Sequence, residues 1–289
     1  MLSHKRILSV IDGTPAGLNA LEQVVRVTDQ ATALGAISVT PSYNGDLRLV
    51  GVSDIAAKLD APYVKALGDA EALATRSERP IEILRVSGQL HEGIADAALA
   101  NDYDLIVQGL GSRQLFEGAY TTGMAGRVIG YSPADVLIVP QNTSLGLETI
   151  LLAYDGSPFS QVAVERALAL ARTNNASLTV LKVIDVPVEY AAMSGGMTNK
   201  LFAKARALLH DVKVCCEEAG VEATFLVEHG DPATTIATAA RRIQAGLIVM
   251  GWLGKTGLVR LLMGSVVEKI LATRRHCVLI AKNAVFASG

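Results

Sequence analysis

The chain has 289 residues, which is enough for two domains that each bury a core of their own. Half of the residues are hydrophobic, 19% are charged and only 4% are aromatic, so the composition is that of an aliphatic α/β protein and excludes a disordered one. The formal net charge of −2, with no basic block, argues against broad electrostatic binding to nucleic acid or to membrane surfaces.

The N-terminus does not resemble a targeting segment. Lys5 and Arg6 precede a short apolar run that Asp12 interrupts. Such a run is too short, and too soon followed by a charge, for a signal peptide or a membrane span. We therefore expect a cytoplasmic protein.

The cysteines give no disulfide framework. Cys215 and Cys216 are adjacent in a helical pattern, so they cannot readily bridge each other, and Cys277 stands apart. We expect buried thiols. A metal site formed with His210 and His229 is the alternative, although none of the usual ligand spacings is present.

The second half of the chain repeats the first. Asp12 and Asp155 follow similar apolar runs 143 residues apart, and two further matches have an offset of 142. The matching segments are 6–15 with 149–158, 104–109 with 246–251, and 136–138 with 278–280. Repeats at one offset indicate tandem duplication. We predict domains at 1–142 and 147–289, joined by the polar segment 141–146.

Within each half, continuous apolar runs alternate with helical patterns. The order is strand, helix, strand, long helical region, strand, helix, strand, glycine loop, helix, strand. This order predicts a doubly wound, five-stranded parallel sheet with helices on both faces. Ligands of such sheets bind beyond the carboxyl ends of the strands. Segments 160–172 and 201–219 have a clear helical period, whereas 190–199 has none and is predicted to be a loop, either a plain connection or a cover over a ligand.

The segment 247–270 carries the strongest functional signal. An apolar run ends at Gly251, and Ser265 with Glu268 is typical of a helix N-terminus with a capping box. A glycine-rich loop between a strand and a helix start exposes main-chain N–H groups at the positive end of a helix dipole. This pattern favours binding of an anion, most plausibly phosphate.

The loop itself contains Lys255 and Arg260 and no acidic residue, which favours a polyphosphate. It is not a Walker A loop, because Val249 stands where that motif needs glycine. The spacing of a dinucleotide fingerprint is also absent. On these residues alone, an ordinary strand-to-helix connection remains the alternative.

The spacing Gly251-x2-Gly254-x9-Gly264-Ser265 resembles the ATP-binding motif of the universal stress protein family. Segment 150–157 resembles the first strand and aspartate turn of that family, and 230–232 resembles the loop before its third helix. The pair Trp252-Leu253 departs from the family pattern, in which many members carry a polar residue such as histidine before the second glycine.

The resemblance implies two Rossmann-like domains of the adenine nucleotide alpha hydrolase-like class, with an ATP site in the second. It implies that Asp155 lies on the ribose side and that the main chain of Val183 meets adenine. The residues predicted to bind the nucleotide are Ala153, Tyr154, Asp155, Val183, Met250, Gly251, Gly254, Gly264, Ser265 and Val266. We expect Mg²⁺ to enter with the triphosphate, and we predict no catalytic residue and no dedicated metal ligand.

The first half has lost the motif. Ser112 replaces Gly254, Thr122 replaces Gly264, Gly123 replaces Ser265 and Gly126 replaces Glu268. Glu117 would also oppose a phosphate. We predict a degenerate nucleotide site, or a site for another ligand. In the alternative interpretation, Gly109, Gly111 and Gly123 form a different anion-binding nest.

The leading functional hypothesis is an ATP-binding stress-response regulator that acts through nucleotide-dependent conformation or assembly. The alternatives are a binding module that needs no nucleotide, and a slow ATP hydrolase, for which we find no acid–base pair. The family also implies a homo-oligomer, expected to be a dimer, formed through the final strand at 277–281; the matching strand at 134–139 would make the two domains a pseudo-dimer. A regulatory protein partner is expected, and nucleic acid and membranes are not.

Overall fold

A computed structural model describes residues 1–41, 55–111, 118–185, 195–254 and 263–282, with 55–59, 118–122 and 195–199 described by their backbone. These residues form two compact units. One is His4–Asn142, and the other is Thr143–Ser288 together with Met1–Ser3. No helix in these ranges is both long and apolar enough to span a bilayer.

The first unit is a parallel sheet with strand order β3-β2-β1-β4-β5. Its elements are β1 (Arg6–Val10), α1 (Pro15–Val27), β2 (Ala33–Pro41), α2 (Ile55–Ser77), β3 (Ile81–Gly88), α3 (Leu90–Ala100), β4 (Leu105–Leu110), α4 (Gly118–Tyr131) and β5 (Asp135–Pro140). The strand order reverses between β1 and β4, so the ligand-binding crevice of this fold lies at their carboxyl ends.

The second unit repeats this topology with strand order β8-β7-β6-β9-β10. Its elements are β6 (Thr149–Ala153), α5 (Pro158–Asn174), β7 (Ser177–Ile184), α6 (Gly195–Glu218), β8 (Ala223–His229), α7 (Pro232–Arg242), β9 (Leu247–Gly251), α8 (Ser265–Thr273) and β10 (Val278–Ala281). The predicted pair of doubly wound parallel sheets is therefore confirmed, and the switch point of this unit lies between β6 and β9.

The central strands are buried because helices cover both faces of each sheet. In β4 and β9 the successive residues Leu105–Val107 and Leu247–Val249 have no exposed surface. A strand buried on both faces needs apolar side chains at every position, which is why apolar and polar residues do not alternate in these runs.

Three helices begin with the same local design, in which a polar side chain caps the helix and proline follows. Thr14, Ser157 and Asp231 cap α1, α5 and α7, and each accepts a hydrogen bond from the amide three residues later. The capping bond is 3.1 Å at Ser157 and 2.9 Å at Asp231. Proline suits the next position because its missing N–H would have no partner there.

Part of the predicted loop 190–199 is helical. The helix α6 begins at Gly195, so the prediction is wrong for 195–199, while 190–194 lie outside the described residues. The first turn of a helix needs no apolar residues of its own when the later turns bury an apolar face. In α6 the buried residues of the later turns are Ala205, Leu209 and Val212.

A glycine allows the first helix of each unit to pack closely on the sheet. A Cβ atom built on Gly109 would lie 2.1 Å from the carbonyl oxygen of Ala16 in α1. A Cβ atom built on Gly251 would lie 2.7 Å from the carbonyl carbon of Phe159 in α5. Both distances are far below van der Waals contact, so any larger residue would push the helix away from the strand.

We therefore predict that Gly109→Ala lowers the free energy of unfolding of the first unit by about 3 kcal/mol, because the backbone of α1 must move to admit the methyl group. Gly111→Ala is the matched control, since a Cβ atom there would meet no described atom within 4 Å. Denaturant unfolding followed by circular dichroism measures both. Equal stability of the two variants would contradict the packing argument.

Candidate functional site

The second unit contains a cavity of about 480 Å³ at the carboxyl ends of β6, β7 and β9. Side chains of α6 and α7 and the first residues of α8 complete its walls. Its volume is within the range of roughly 300–1,000 Å³ that is usual for small-molecule sites. The cavity lies at the switch in strand order, where this class of sheet binds ligands.

All ten residues that the sequence predicts to bind a nucleotide line this one cavity. They come from four separate segments. Ala153 ends β6, and Tyr154 and Asp155 follow it; Val183 is the second-last residue of β7. Met250 and Gly251 end β9 and Gly254 lies beyond it, whereas Gly264 precedes α8, which begins with Ser265 and Val266. Their proximity is a property of the fold, and their role in binding a nucleotide stays a prediction.

The helix α8 begins without a side-chain cap, and its N-terminus lines the cavity. The residue that precedes the helix is Gly264, and Ser265 is the first helical residue. The predicted capping box is therefore wrong, because the Ser265 hydroxyl is already inside the helix and cannot cap it. The amides of residues 265–267 lie at the positive end of the helix dipole with no capping side chain among the described residues.

A main-chain hydrogen bond between two described residues joins the ends of the loop that precedes α8. The amide of Gly264 donates to the carbonyl oxygen of Trp252 at 3.0 Å. A Cβ atom on Gly264 would lie 3.2 Å from that same oxygen, and a Cβ atom on Gly254 would lie 3.2 Å from Oδ2 of Asp155. Side chains at these two positions would press on the loop and on the carboxylate, so glycine keeps this side of the cavity open.

Asp155 orients the turn after β6. Its Oδ1 accepts a hydrogen bond from the amide of Ser157 at 2.8 Å, and Lys182 Nζ donates to its main-chain oxygen at 2.9 Å. The cap of α5 is Ser157. Because Oδ1 holds the turn and Oδ2 lies beside Gly254, the carboxylate is fixed at the cavity wall.

The main-chain groups of Val183 face the cavity. The strand β7 runs past the end of β6, since Tyr154 N–H donates to the carbonyl of Leu181 at 2.9 Å and the strand continues to Ile184. Main-chain groups of successive residues point to opposite sides of a strand. Gly230 N–H donates to the carbonyl of Ile184 on the β8 side, so the N–H and C=O of Val183 point to the side where β6 has ended.

The family model described as the universal stress protein family matches residues 3–140 and, again, residues 146–282. The chain belongs to the universal stress protein family. The resemblance read from the glycine spacing is thereby confirmed, and the protein carries two copies of the family's domain. This family has a role in the stress response.

Individual relatives match one domain or both. A universal stress protein of Methanocaldococcus jannaschii is 34% identical over 138 residues, which are 46% of this chain and 81% of that protein. The stress response protein NhaX of Bacillus subtilis is 32% identical over 162 residues, covering 47% of this chain and 98% of its own. A crystal structure of a universal stress protein from Archaeoglobus fulgidus, 20% identical, covers 96% of this chain and 98% of its own with a TM-score of 0.69, and it shows the shared fold.

The two residues of the pair Trp252-Leu253, which departs from the universal stress protein motif, have different surroundings. The Trp252 ring is buried, packs edge-on against Phe159 at 5.5 Å between centroids, and lies 3.8 Å from Nζ of Lys282. Leu253 is also buried and lines the cavity. In this universal stress protein an apolar side chain therefore stands at the cavity wall where many members carry a polar one.

The first universal stress protein domain differs from the second at the start of the helix that corresponds to α8. The matching helix α4 starts at Gly118, whereas the counterpart of Ser265 is Gly123. Gly123 and Gly126 thus lie within a helix, where their amides bond to carbonyls of the preceding turn. A helical Gly123 offers no free amide to the alternative anion nest with Gly109 and Gly111. Residues 112–117, with Ser112 and Glu117, lie outside the described residues.

Two lysines were missed by the sequence analysis. Lys182 and Lys204 both line the cavity, and so does Asp185. A lysine within the apolar strand β7 was a usable signal, because buried strands rarely contain one. Lys204 carried no signal, since it occupies an ordinary exposed position of a helix. Lys255 and Arg260 lie outside the described residues.

The structure also bears on the alternative of a metal site at the cysteines. Cys216 and Cys277 are buried thiols, and Cys215 is half-buried. Burial, the largest cause, raises the pKa of the Cys216 thiol. Among the described residues, no group of three or more histidine, cysteine, aspartate or glutamate side chains lies close enough to hold a metal ion.

An ion pair joins the helices that border the cavity. Asp231, the cap of α7, accepts a hydrogen bond from Nζ of Lys269 in α8 at 2.8 Å. This bond, with further bonds from Thr234, lowers the pKa of the Asp231 carboxyl to about 2. Pro232 lines the cavity next to this cap, so the pair connects the start of α7 with the body of α8.

We predict that Lys269→Met raises the pKa of Asp231 from about 2 toward its ordinary value of 3.8. A carboxyl whose folded pKa is depressed stabilises the fold above its unfolded pKa, and this contribution disappears as pH falls through the folded value near 2. The variant should therefore lose stability relative to the wild type at neutral pH but not at the lowest pH.

The carboxyl resonance of Asp231, followed by ¹³C NMR as a function of pH, measures this shift. Lys213→Met is the matched control, because it removes a lysine that pairs with Glu217 at 3.7 Å within α6. An Asp231 pKa that stays near 2 in Lys269→Met would contradict the assignment.

Proposed function

We propose that the second domain of this universal stress protein binds ATP in the cavity at the ends of β6, β7 and β9, and that the bound nucleotide changes the protein's conformation or assembly. The observation that carries the proposal is the N-terminus of α8, which has no side-chain cap in the described part of the chain and lines a cavity at the switch point of the sheet. Free amides at a helix N-terminus favour an anionic ligand.

The phosphates would bind at the loop and at the start of α8. Gly254 and Gly264 present main chain without a side chain, and Ser265 and Val266 supply amides of the first helical turn. Lys204 adds a positive charge at the cavity wall. Main-chain N–H groups and a helix dipole together stabilise several negative charges without a buried counter-charge.

The adenosine would bind at the opposite end of the cavity. Leu181, Leu208 and Ile236 provide apolar walls suited to a base. The main-chain N–H and C=O of Val183 can pair with the adjacent acceptor and donor on the edge of adenine. The Asp155 carboxylate is placed to accept hydrogen bonds from ribose hydroxyls, because its Oδ2 lies at the cavity beside Gly254.

Magnesium would enter with the triphosphate. The described cavity wall offers two carboxylates, Asp155 and Asp185, which is fewer than a dedicated cage requires. Mg²⁺ usually keeps several waters and binds through one or two carboxylates and the phosphates of its nucleotide. The donor set is compatible with this mode, in which the ion neutralises phosphate charge.

Regulation requires that ATP bind one conformation better than another. The nucleotide would contact α6, α7, α8 and the loop after β9, all of which surround the cavity. Ordering these elements together gives the differential affinity that a nucleotide-dependent regulator needs. We include a homo-oligomer, a regulatory protein partner and a cytoplasmic location in the proposal, and we assign no catalytic residue.

We predict that Gly264→Val lowers the affinity for ATP by about 100-fold, because the side chain meets the Trp252 carbonyl and obstructs the phosphate end. Adenosine, which lacks phosphates, should lose much less affinity. Isothermal titration calorimetry with both ligands measures the difference. Gly123→Val is the matched control in the first domain, since Gly123 is exposed and a Cβ atom there meets none of the described atoms within 4 Å.

Equal ATP affinity of Gly264→Val and the wild type would place the site elsewhere. No ATP binding by the wild type at millimolar nucleotide would favour a binding module that needs no nucleotide. Phosphate release above a protein-free blank would favour a slow hydrolase over a regulator that only binds ATP.

A further inference from the structure

A lysine is buried at the carboxyl edge of the second sheet. Lys282 directly follows β10 and is only 7% exposed. Burial of an ammonium group costs free energy unless a neighbouring group stabilises the charge, and lysine is rarely buried without such a partner. The position of this side chain therefore requires an explanation.

The charge of Lys282 lies on the ring of the only tryptophan in the chain. Its Nζ is 3.8 Å from the centroid of the Trp252 indole, which is itself 9% exposed. A cation within about 6 Å of an indole centroid is attracted by the electrons of the ring face, most strongly where water is excluded. The ring of Phe159 in α5 packs edge-on against the same indole. The indole is therefore held between the end of β10 and the start of α5.

The register of the sheet brings the lysine to the indole. Ala281 of β10 pairs with Gly251 of β9. The next residues, Lys282 and Trp252, are thus neighbours just beyond the ends of the two strands. Residues at the same level of adjacent parallel strands place their side chains on the same face of the sheet.

The main chain of Trp252 leads from this contact to the phosphate end of the cavity. Its carbonyl oxygen accepts the hydrogen bond from the Gly264 amide at 3.0 Å, and α8 begins at the next residue. Leu253, which follows the tryptophan, lines the cavity. A fixed indole therefore fixes the carbonyl group that holds the start of α8.

The first domain has no charged group at the corresponding positions. There Leu110 of β4 pairs with Pro140 of β5, and both residues are buried. An apolar pair is thus sufficient for the fold at this place. The first domain is also the copy in which the last helix begins before the counterpart of Ser265. The buried cation accompanies the helix start that lines a cavity, which favours a role at the site over a role in the core.

We infer that Lys282 is a positioning residue for the phosphate end of the second-domain cavity. Its charge orients the indole of Trp252, and the carbonyl of Trp252 then holds Gly264 and the first turn of α8. Lys282 is not among the described residues that line the cavity, so it acts through the tryptophan and not by contact with a ligand. The effect on ATP rests on the proposed function, whereas the effect on the loop does not.

Hydrogen exchange without nucleotide, followed by NMR, tests the effect on the loop. Lys282→Met removes the charge and retains a long side chain. We expect the Gly264 amide to exchange about tenfold faster in this variant, because loss of a buried cation–π contact lets the loop open more often. Lys282→Arg should restore slow exchange, since arginine also places a cation on the ring.

An amide in the same unit controls for a general loss of stability. The N–H of Tyr154 donates to the carbonyl oxygen of Leu181 at 2.9 Å. Its exchange rate should be the same in Lys282→Met and in the wild type. A change at Gly264 without a change at Tyr154 shows that the loop alone has loosened.

A double variant tests whether the lysine acts through the indole. Trp252→Leu installs the residue of the first domain and removes the ring that the lysine contacts. Adding Lys282→Met to Trp252→Leu should then cause no further increase in Gly264 exchange, because two residues that act through one contact are not additive. Additive effects would overturn the inference.

Isothermal titration calorimetry tests the effect on the ligand. Lys282→Met should weaken ATP binding about tenfold and leave adenosine binding unchanged, and Lys282→Arg should restore the affinity for ATP. Lys213→Met is the matched control, because it removes one positive charge from the same unit at an ion pair within α6. It should leave the affinity for ATP unchanged.

The two measurements separate failure of the inference from failure of the proposed function. Unchanged Gly264 exchange in Lys282→Met would overturn the inference, and weaker ATP binding would then reflect attraction at long range. Faster exchange with an unchanged affinity for ATP would also overturn it. Faster exchange in a protein that binds no ATP would support the effect on the loop and reject the proposed function instead.

Discussion

The hydrogen bond from the Gly264 amide to the Trp252 carbonyl is the constraint on which the candidate site depends. It holds residue 264 in an extended conformation outside the helix, so that α8 begins one residue later and without a side-chain cap. The amides that follow have no side-chain cap among the described residues, and their residues line the cavity. A serine cap at position 264 would satisfy those amides internally and remove the feature that favours an anion.

The two domains share their packing and differ at the carboxyl ends of their strands, where this fold binds ligands. Gly109 and Gly251 both allow a helix to approach the central strand, and Asp12 and Asp155 both hold the turn after the first strand through a bond to the amide two residues on. These features maintain the fold. The start of the last helix and the polarity of the strand ends differ between the copies, which is expected if duplication freed one copy to bind a different ligand or none.

Much of the fold followed from local patterns. Continuous apolar runs marked the buried strands, and the offset near 142 predicted two similar sheets. The glycine spacing and the aspartate turn brought together residues that line one cavity. The capping box was mispredicted because a serine followed three residues later by glutamate fits either a serine that caps the helix or a serine in its first turn. The hydrogen bond between Gly264 and Trp252 selects the second arrangement. This bond joins the two ends of a loop, so a local sequence pattern does not reveal it.

Other features depend on tertiary structure and leave little trace in sequence. Lys204 resembles any exposed helix residue until the helix is placed over the cavity. The first turn of α6 has no apolar stripe, because later turns bury the helix.

The most direct test of the central claim is a crystal structure of the full chain grown with ATP and Mg²⁺. The account predicts electron density for one ATP in the second domain, with its phosphates against the amides of Ser265 and Val266 and its base beside Val183. Density for ATP only beside Asp12, or no density at millimolar nucleotide, would contradict it.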